Sequence, residues 1–190
     1  NVTGVQTCAL PISFKQVGEW HHNTTPVSQQ IRLLRDITTY IQSQGSPQIY
    51  YSCENNAIGE ACLTSIKDLG EEHIPGLFLS EPIRKGHVRR FRKGFNTTPK
   101  SKIGACAKLK LWAETGKIKF RSKSLISELK SFVAKGVSYE AKIGETDDLV
   151  MATLLAVRMI LHLRQYDGRI SSNLTMDAAD IIPPMPFVVI

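Results

Sequence analysis

The stretch "QIYYSCENNAIGEACLTSIKDL", residues 48–69, decides the fold class. Gln48, Ile49, Tyr50, Tyr51 and Ser52 are rich in aromatic and β-branched character and predict a strand. From Asn56 onward Ile58, Ala61, Cys62, Ser65, Ile66 and Leu69 recur at helical spacing. Neighbouring segments repeat the alternation. Residues 14–20 (FKQVGEW) alternate apolar with polar side chains as a strand does, and the turn-forming HHNTTP follows. Over residues 27–43, Val27, Ile31, Leu34, Ile37, Tyr40 and Ile41 mark an amphipathic helix, stopped by Gly45 and Pro47. Residues 75–82 (PGLFLSEP) form a third short strand between prolines. Strand, helix, strand, helix, strand is the rhythm of crossover connections. It predicts an α/β fold with a partly parallel sheet and puts Glu54 at the C-terminal end of an inner strand, where open sheets carry their chemistry.

The second half of the chain supplies further helices. Residues 101–114 are helical by pattern, residues 116–122 (GKIKFRS) are strand-like, and residues 122–133 place Leu125, Leu129, Phe132 and Val133 on one helical face. The run "GETDDLVMATLLAVRMILHL", residues 144–163, opens on Gly144 and the candidate cap Thr146, carries Asp147 and Asp148 in its first turn, and is then almost wholly apolar. A central helix packed on the sheet, with its acidic tip at the sheet edge, is expected. Residues 2–13 (VTGVQTCALPIS) look like a translated sequencing-adapter oligonucleotide and are set aside. The domain is therefore expected over residues 14–168, with a polar, then proline-rich tail over 169–190. With 190 residues and 42% hydrophobic content, one core and one domain are the expectation.

A formal net charge of +7 favours an acidic partner such as nucleic acid. Residues 84–102, RKGHVRRFRKGFNTTPKSK, concentrate that charge: Arg84, Lys85, Arg89, Arg90, Arg92, Lys93, Lys100 and Lys102 stand there without one acid. A basic loop or hairpin with this composition suits a phosphate backbone, since neutralised phosphates give sequence-independent, salt-sensitive affinity. The competing reading is a solvated charged loop. Four cysteines without a CxxC pair support neither a disulfide framework nor a structural zinc site, and reduced, cytoplasmic thiols are expected. No stretch is long and apolar enough to predict a membrane span, so no membrane partner is expected.

Glu54, Asp147 and Asp148 each abut apolar structure, where a lone charge is costly. Acids at a helix start are ordinary, stabilised by about 0.3–1 kcal/mol each, and a strand-end glutamate can simply be solvated. Their expected convergence at one sheet edge suggests more. Clustered carboxylates repel one another unless a divalent cation lies between them. Carboxylate oxygens suit Mg²⁺ or Mn²⁺, and a pair of such ions serves phosphodiester hydrolysis.

In the order "QVGEWHHNTTP", "ENNAIGEACLTSI", "GFNTTPKSKIGACAKLKLWAETGKIKF", "LISELKSFV" and "SYEAKIGETDDLVMATLLA", the chain resembles the C-terminal nuclease domain of the tailed-bacteriophage terminase large subunit. The resemblance implies an RNase H-like mixed central sheet flanked by helices and a metal-dependent endonuclease that cuts concatemeric double-stranded DNA during headful packaging. It further implies portal and small-terminase partners in the host cytoplasm and two Mg²⁺ or Mn²⁺ ions. The family's second acid falls on Glu54 within an E-x-N-x-x-G-like stretch, with Asn55, Asn56 and Gly59 in support, and its third on Asp147 or Asp148. Thr146 stands where the family commonly has histidine. The family's opening-strand aspartate has no counterpart, so an impaired, N-terminally truncated nuclease is expected. No GxxxxGK[ST] loop predicts an ATP site. Alternatives are another RNase H-like nuclease of resolvase or transposase type, or a non-catalytic DNA-binding or assembly module.

Overall fold

The computed structural model describes residues 13–45, 48–55, 57–81, 93–136 and 138–164. They form a mixed α/β fold, as the alternation predicts. Strand β1 (Phe14–Lys15) is followed by α1 (Val27–Ser43), β2 (Tyr50–Tyr51), α2 (Ala57–Leu69) and β3 (Leu77–Phe78). Then come α3 (Pro99–Glu114), β4 (Ile118–Lys119), α4 (Lys123–Ser131), β5 (Phe132–Lys135), β6 (Ser138–Ala141) and α5 (Asp148–Leu163). Residues 2–12 of the adapter-like stretch, and 165–190 with the tail, lie outside the described residues.

Parallel pairing is present, yet the expected central sheet is divided. Among the described residues β1 pairs with β4 and β2 with β3, both parallel, while β5 and β6 form an antiparallel hairpin; each pair is a separate two-stranded sheet. The parallel strands are short for a visible reason. After Lys15 the side chain of Gln16 takes over, its Oε1 accepting the amides of Arg121 and Ser122 at 3.1 Å each. Val17, next in the alternation, is 88% exposed, so beyond β1 the apolar–polar pattern meets no sheet among the described residues.

Two hydrophobic cores result among the described residues. Ile31 of α1, Tyr51 of β2, Ile66 of α2 and Ile74 form one, flanked by Leu34, Leu69 and Phe78. Ile37 and Tyr40, expected on the inner face of α1, are exposed. The larger core joins Ala105, Leu109 and Trp112 of α3, Leu125 of α4, and Leu149, Val150, Leu154 and Val157 of α5. Phe14 of β1 leans on the fully buried Trp112, ring centroids 5.0 Å apart. So α5 packs mainly on α3 and α4, with β1 and β4 at the margin of that core, rather than across a central sheet.

Helix boundaries follow capping chemistry. Helix α3 begins at Pro99, two residues before the periodicity indicates: Thr98 and Ser101 form a reciprocal cap, and proline tolerates the first helical position because its missing N–H would be unpaired there anyway. Lys100 and Lys102 therefore belong to a helix and not to a basic loop. Helix α4 opens on Ser122, whose hydroxyl accepts the Leu125 amide at 2.8 Å. It closes at Ser131, and Phe132 and Val133, expected in its last turn, instead begin the β5–β6 hairpin.

Candidate functional site

Glu54 lies just beyond β2, where its backbone makes a single parallel bridge to Phe95. The Phe95 N–H donates to the Cys53 carbonyl at 3.1 Å, and the Asn55 N–H donates to the Phe95 carbonyl at 2.7 Å, so the residues flanking Glu54 are both fixed. Asn55 is buried, and its Nδ2 donates to the Lys93 carbonyl at 2.9 Å; it serves the backbone of residues 93–95. Gly94 permits this closeness. Its φ is +86°, and a Cβ there would sit 2.7 Å from the Cys53 carbonyl oxygen. Asn56 lies outside the described residues, and Gly59 is buried in the first turn of α2.

The two aspartates sit at the start of α5, as expected, but they do not cap it. Asp147 occupies the N-cap position without a side-chain bond to the helix. Glu128, reaching across from α4, caps it instead. The Glu128 Oε2 accepts the amides of Leu149 at 2.8 Å and Val150 at 3.1 Å, and Oε1 accepts the Thr146 hydroxyl at 3.0 Å. Thr146, the expected cap, is thus a donor to the true one. Asp147 faces Lys102, Oδ2 to Nζ 3.7 Å, and Asp148 faces His21, Oδ2 to Nε2 3.2 Å.

Among the described residues no group of three or more His, Cys, Asp or Glu side chains is placed to hold a metal ion. The Lys102 side chain is only 14% exposed, and its ammonium, 5.2 Å from the Phe132 ring centroid, already supplies Asp147 with a positive neighbour, which weakens the pull of that carboxylate on a further cation. The described residues, as they stand, do not form a two-ion centre.

Of the basic residues expected to meet DNA, Arg84, Lys85, Arg89, Arg90 and Arg92 lie outside the described residues. Lys93 is ion-paired with Glu71 and lies 5.7 Å from the Phe78 ring centroid. Lys100 is exposed in the first turn of α3. A cleft of about 530 Å³ opens beside Lys93 and Glu71, bounded by Ile66, Lys67 and Phe78.

The chain matches no protein-family model and no curated protein.

Cysteine chemistry is not favoured at the site. Burial, with Cys62 close by, pushes the Cys53 thiol up to about 11, and burial likewise raises Cys62, so both stay protonated near neutrality and are poor nucleophiles. Tyr51 is pushed up to about 12 by burial and by the negative charge of Glu71.

Two functional-looking residues escape a reading of the sequence by motif. Glu128 gives no local signal, because its partners are 18 and more residues away. Arg158 does give one: a single cation inside the apolar run "LLAVRMILHL" must find partners if it is buried.

Proposed function

We propose that the chain is part of the metal-dependent endonuclease domain of a tailed-phage packaging terminase, of RNase H-like ancestry, acting on double-stranded DNA. The observation that carries the reading is the position of Glu54. It lies three residues past the parallel-paired β2, on a single parallel bridge to Phe95, and precedes α2 by three residues, close to the place where α/β folds hold catalytic groups, and it occurs within motifs in the order of that family. The exposed Lys100 and the basic run from residue 84 supply the phosphate-binding charge this substrate requires. In an active nuclease Glu54 and Asp147 or Asp148 would be the carboxylates that hold Mg²⁺ or Mn²⁺, in an arrangement other than the one among the described residues. A further acid, without counterpart in these residues, would complete the set.

A second reading, a DNA-binding or assembly module without catalysis, is favoured by the Lys102–Asp147 pair, which gives one of the acids a structural partner. One experiment separates them. Replacing residues 1–13 by a strand that carries an aspartate is expected to produce Mg²⁺-dependent nicking of supercoiled plasmid, abolished by Glu54→Ala with duplex affinity retained. No gain of nicking with duplex affinity intact would leave the second reading standing. Absence of salt-sensitive duplex binding would overturn both.

A further inference from the structure

Arg158 stands on the face of α5 turned toward the other core, and its side chain is 10% exposed. A guanidinium so placed must have its donors satisfied, because burying an unpaired charge costs several kcal/mol by order of magnitude. Its partners come from one short part of the chain. Nη2 donates to Glu81 Oε1 at 2.6 Å and to the Asn96 carbonyl at 3.0 Å, while Nη1 donates to the Thr97 hydroxyl at 3.3 Å. The guanidinium also covers the Phe95 ring at 5.2 Å from its centroid, and His162, one turn further along α5, meets the same ring edge-on at 6.1 Å.

Phe95 is 2% exposed and is the residue bridged to Glu54. Glu81 is built into the same junction. Its own N–H donates to the Gly94 carbonyl at 3.0 Å, and its Oε2 accepts the Asn96 amide at 3.3 Å. The strand ends 79–81 and 93–97 belong with β2 and β3, whose Tyr51 and Phe78 lie in the smaller core, whereas α5 belongs to the larger one. The charged and aromatic contacts of Arg158 therefore join the two cores where Glu54 is held.

We propose that Arg158 is a positioning residue: through Glu81, Asn96, Thr97 and Phe95 it locks the Glu54-bearing strand end onto α5 and so sets the relation between the two cores. Shape alone would not do this. A methionine would fill the space and keep contact with Phe95, but it would leave the Glu81 carboxylate and the Asn96 carbonyl without their donor. Lysine would restore one ion pair, but its single ammonium cannot reproduce a planar fork that serves a carboxylate, a carbonyl and a hydroxyl together. The junction is independent of the nuclease reading. Only its consequence for the spacing of Glu54 from Asp147 and Asp148 rests on that reading.

Amide hydrogen exchange on the full chain tests the proposal, because local opening and global unfolding accelerate different sets of amides. In Arg158→Met, and more mildly in Glu81→Gln, the amides of Asn55 and Phe95 should exchange on the order of tenfold faster or more, as loss of charge-assisted bonds implies. Those of Ile66 and Trp112, one in each core, should keep their native rates. Arg158→Lys should fall between. If Arg158→Met does not fold, Glu81→Gln decides. A uniform acceleration across all four amides, or unchanged rates at Asn55 and Phe95, would overturn the positioning role.

Discussion

Glu128 shows how one side chain can determine what its neighbours are free to do. The first amides of α5 need acceptors, and two aspartates are at hand in sequence, yet the glutamate of another helix takes them from a position only 9% exposed. Asp147 and Asp148 are thereby released from capping and turn instead toward Lys102 and His21. Replacing Glu128 by alanine should destabilise the protein by about 2 kcal/mol, the scale of a lost cap combined with buried donors left unpaired. Glu128→Gln, which keeps one acceptor oxygen, should cost less. Urea unfolding midpoints at unchanged slope would measure both. A loss for alanine no larger than that of an ordinary surface substitution, within about 0.5 kcal/mol, would mean that Asp147 or solvent replaces the cap.

Among the elements, the junction between β2 and residues 93–97 depends on the absence of a side chain at Gly94. Alanine there meets the Cys53 carbonyl at 2.7 Å and must also hold a φ of +86°, so the bridge between Glu54 and Phe95 cannot keep its present form. Gly94→Ala should cost about 1–3 kcal/mol, the range for strained backbone. It should also abolish the protection of the Asn55 amide from hydrogen exchange, while a Gly104→Ala control in α3, where an added Cβ meets nothing, leaves it intact. The elements differ in how legible they are. Helix α1 is readable end to end because its stop signals are local, at Gly45 and Pro47, and α2 because its apolar spacing is regular. The β5–β6 hairpin is not, since Phe132 and Val133 continue the helical periodicity of α4 and it is their pairing with Ala141 and Glu140 that draws them into a strand. The strand positions are legible but their pairing partners are not: the period-two pattern of residues 14–20 says that a segment is extended, not that a neighbour is present to bond it. For the candidate site, chain position could place Glu54 at a strand end and the aspartates at a helix start. It could not place them relative to one another, because that depends on how two cores meet.

For the molecule as a whole, the meeting of the cores is also where acidity should act. His162 lies against Phe95 with Glu81 and Arg158 as its charged neighbours. Burial lowers its pKa below the ordinary imidazole value of 6.5, and the Glu81 carboxylate offsets part of that. The sign follows from proton counting. Below about pH 6.5 the unfolded chain takes up a proton at this ring while the folded chain still resists, so stability falls as pH falls through that region and is fully present above it. Denaturant unfolding of the native protein between about pH 7 and about pH 5 should therefore lose more stability than His162→Gln loses, since glutamine removes the titrating group and leaves every other carboxylate and imidazole in place. Exchange at the Asn55 and Phe95 amides, corrected for the intrinsic pH dependence, should accelerate over the same interval in the native protein only. Parallel pH profiles for the two proteins would place the acid sensitivity elsewhere, the exposed His21–Asp148 pair being the next imidazole to replace.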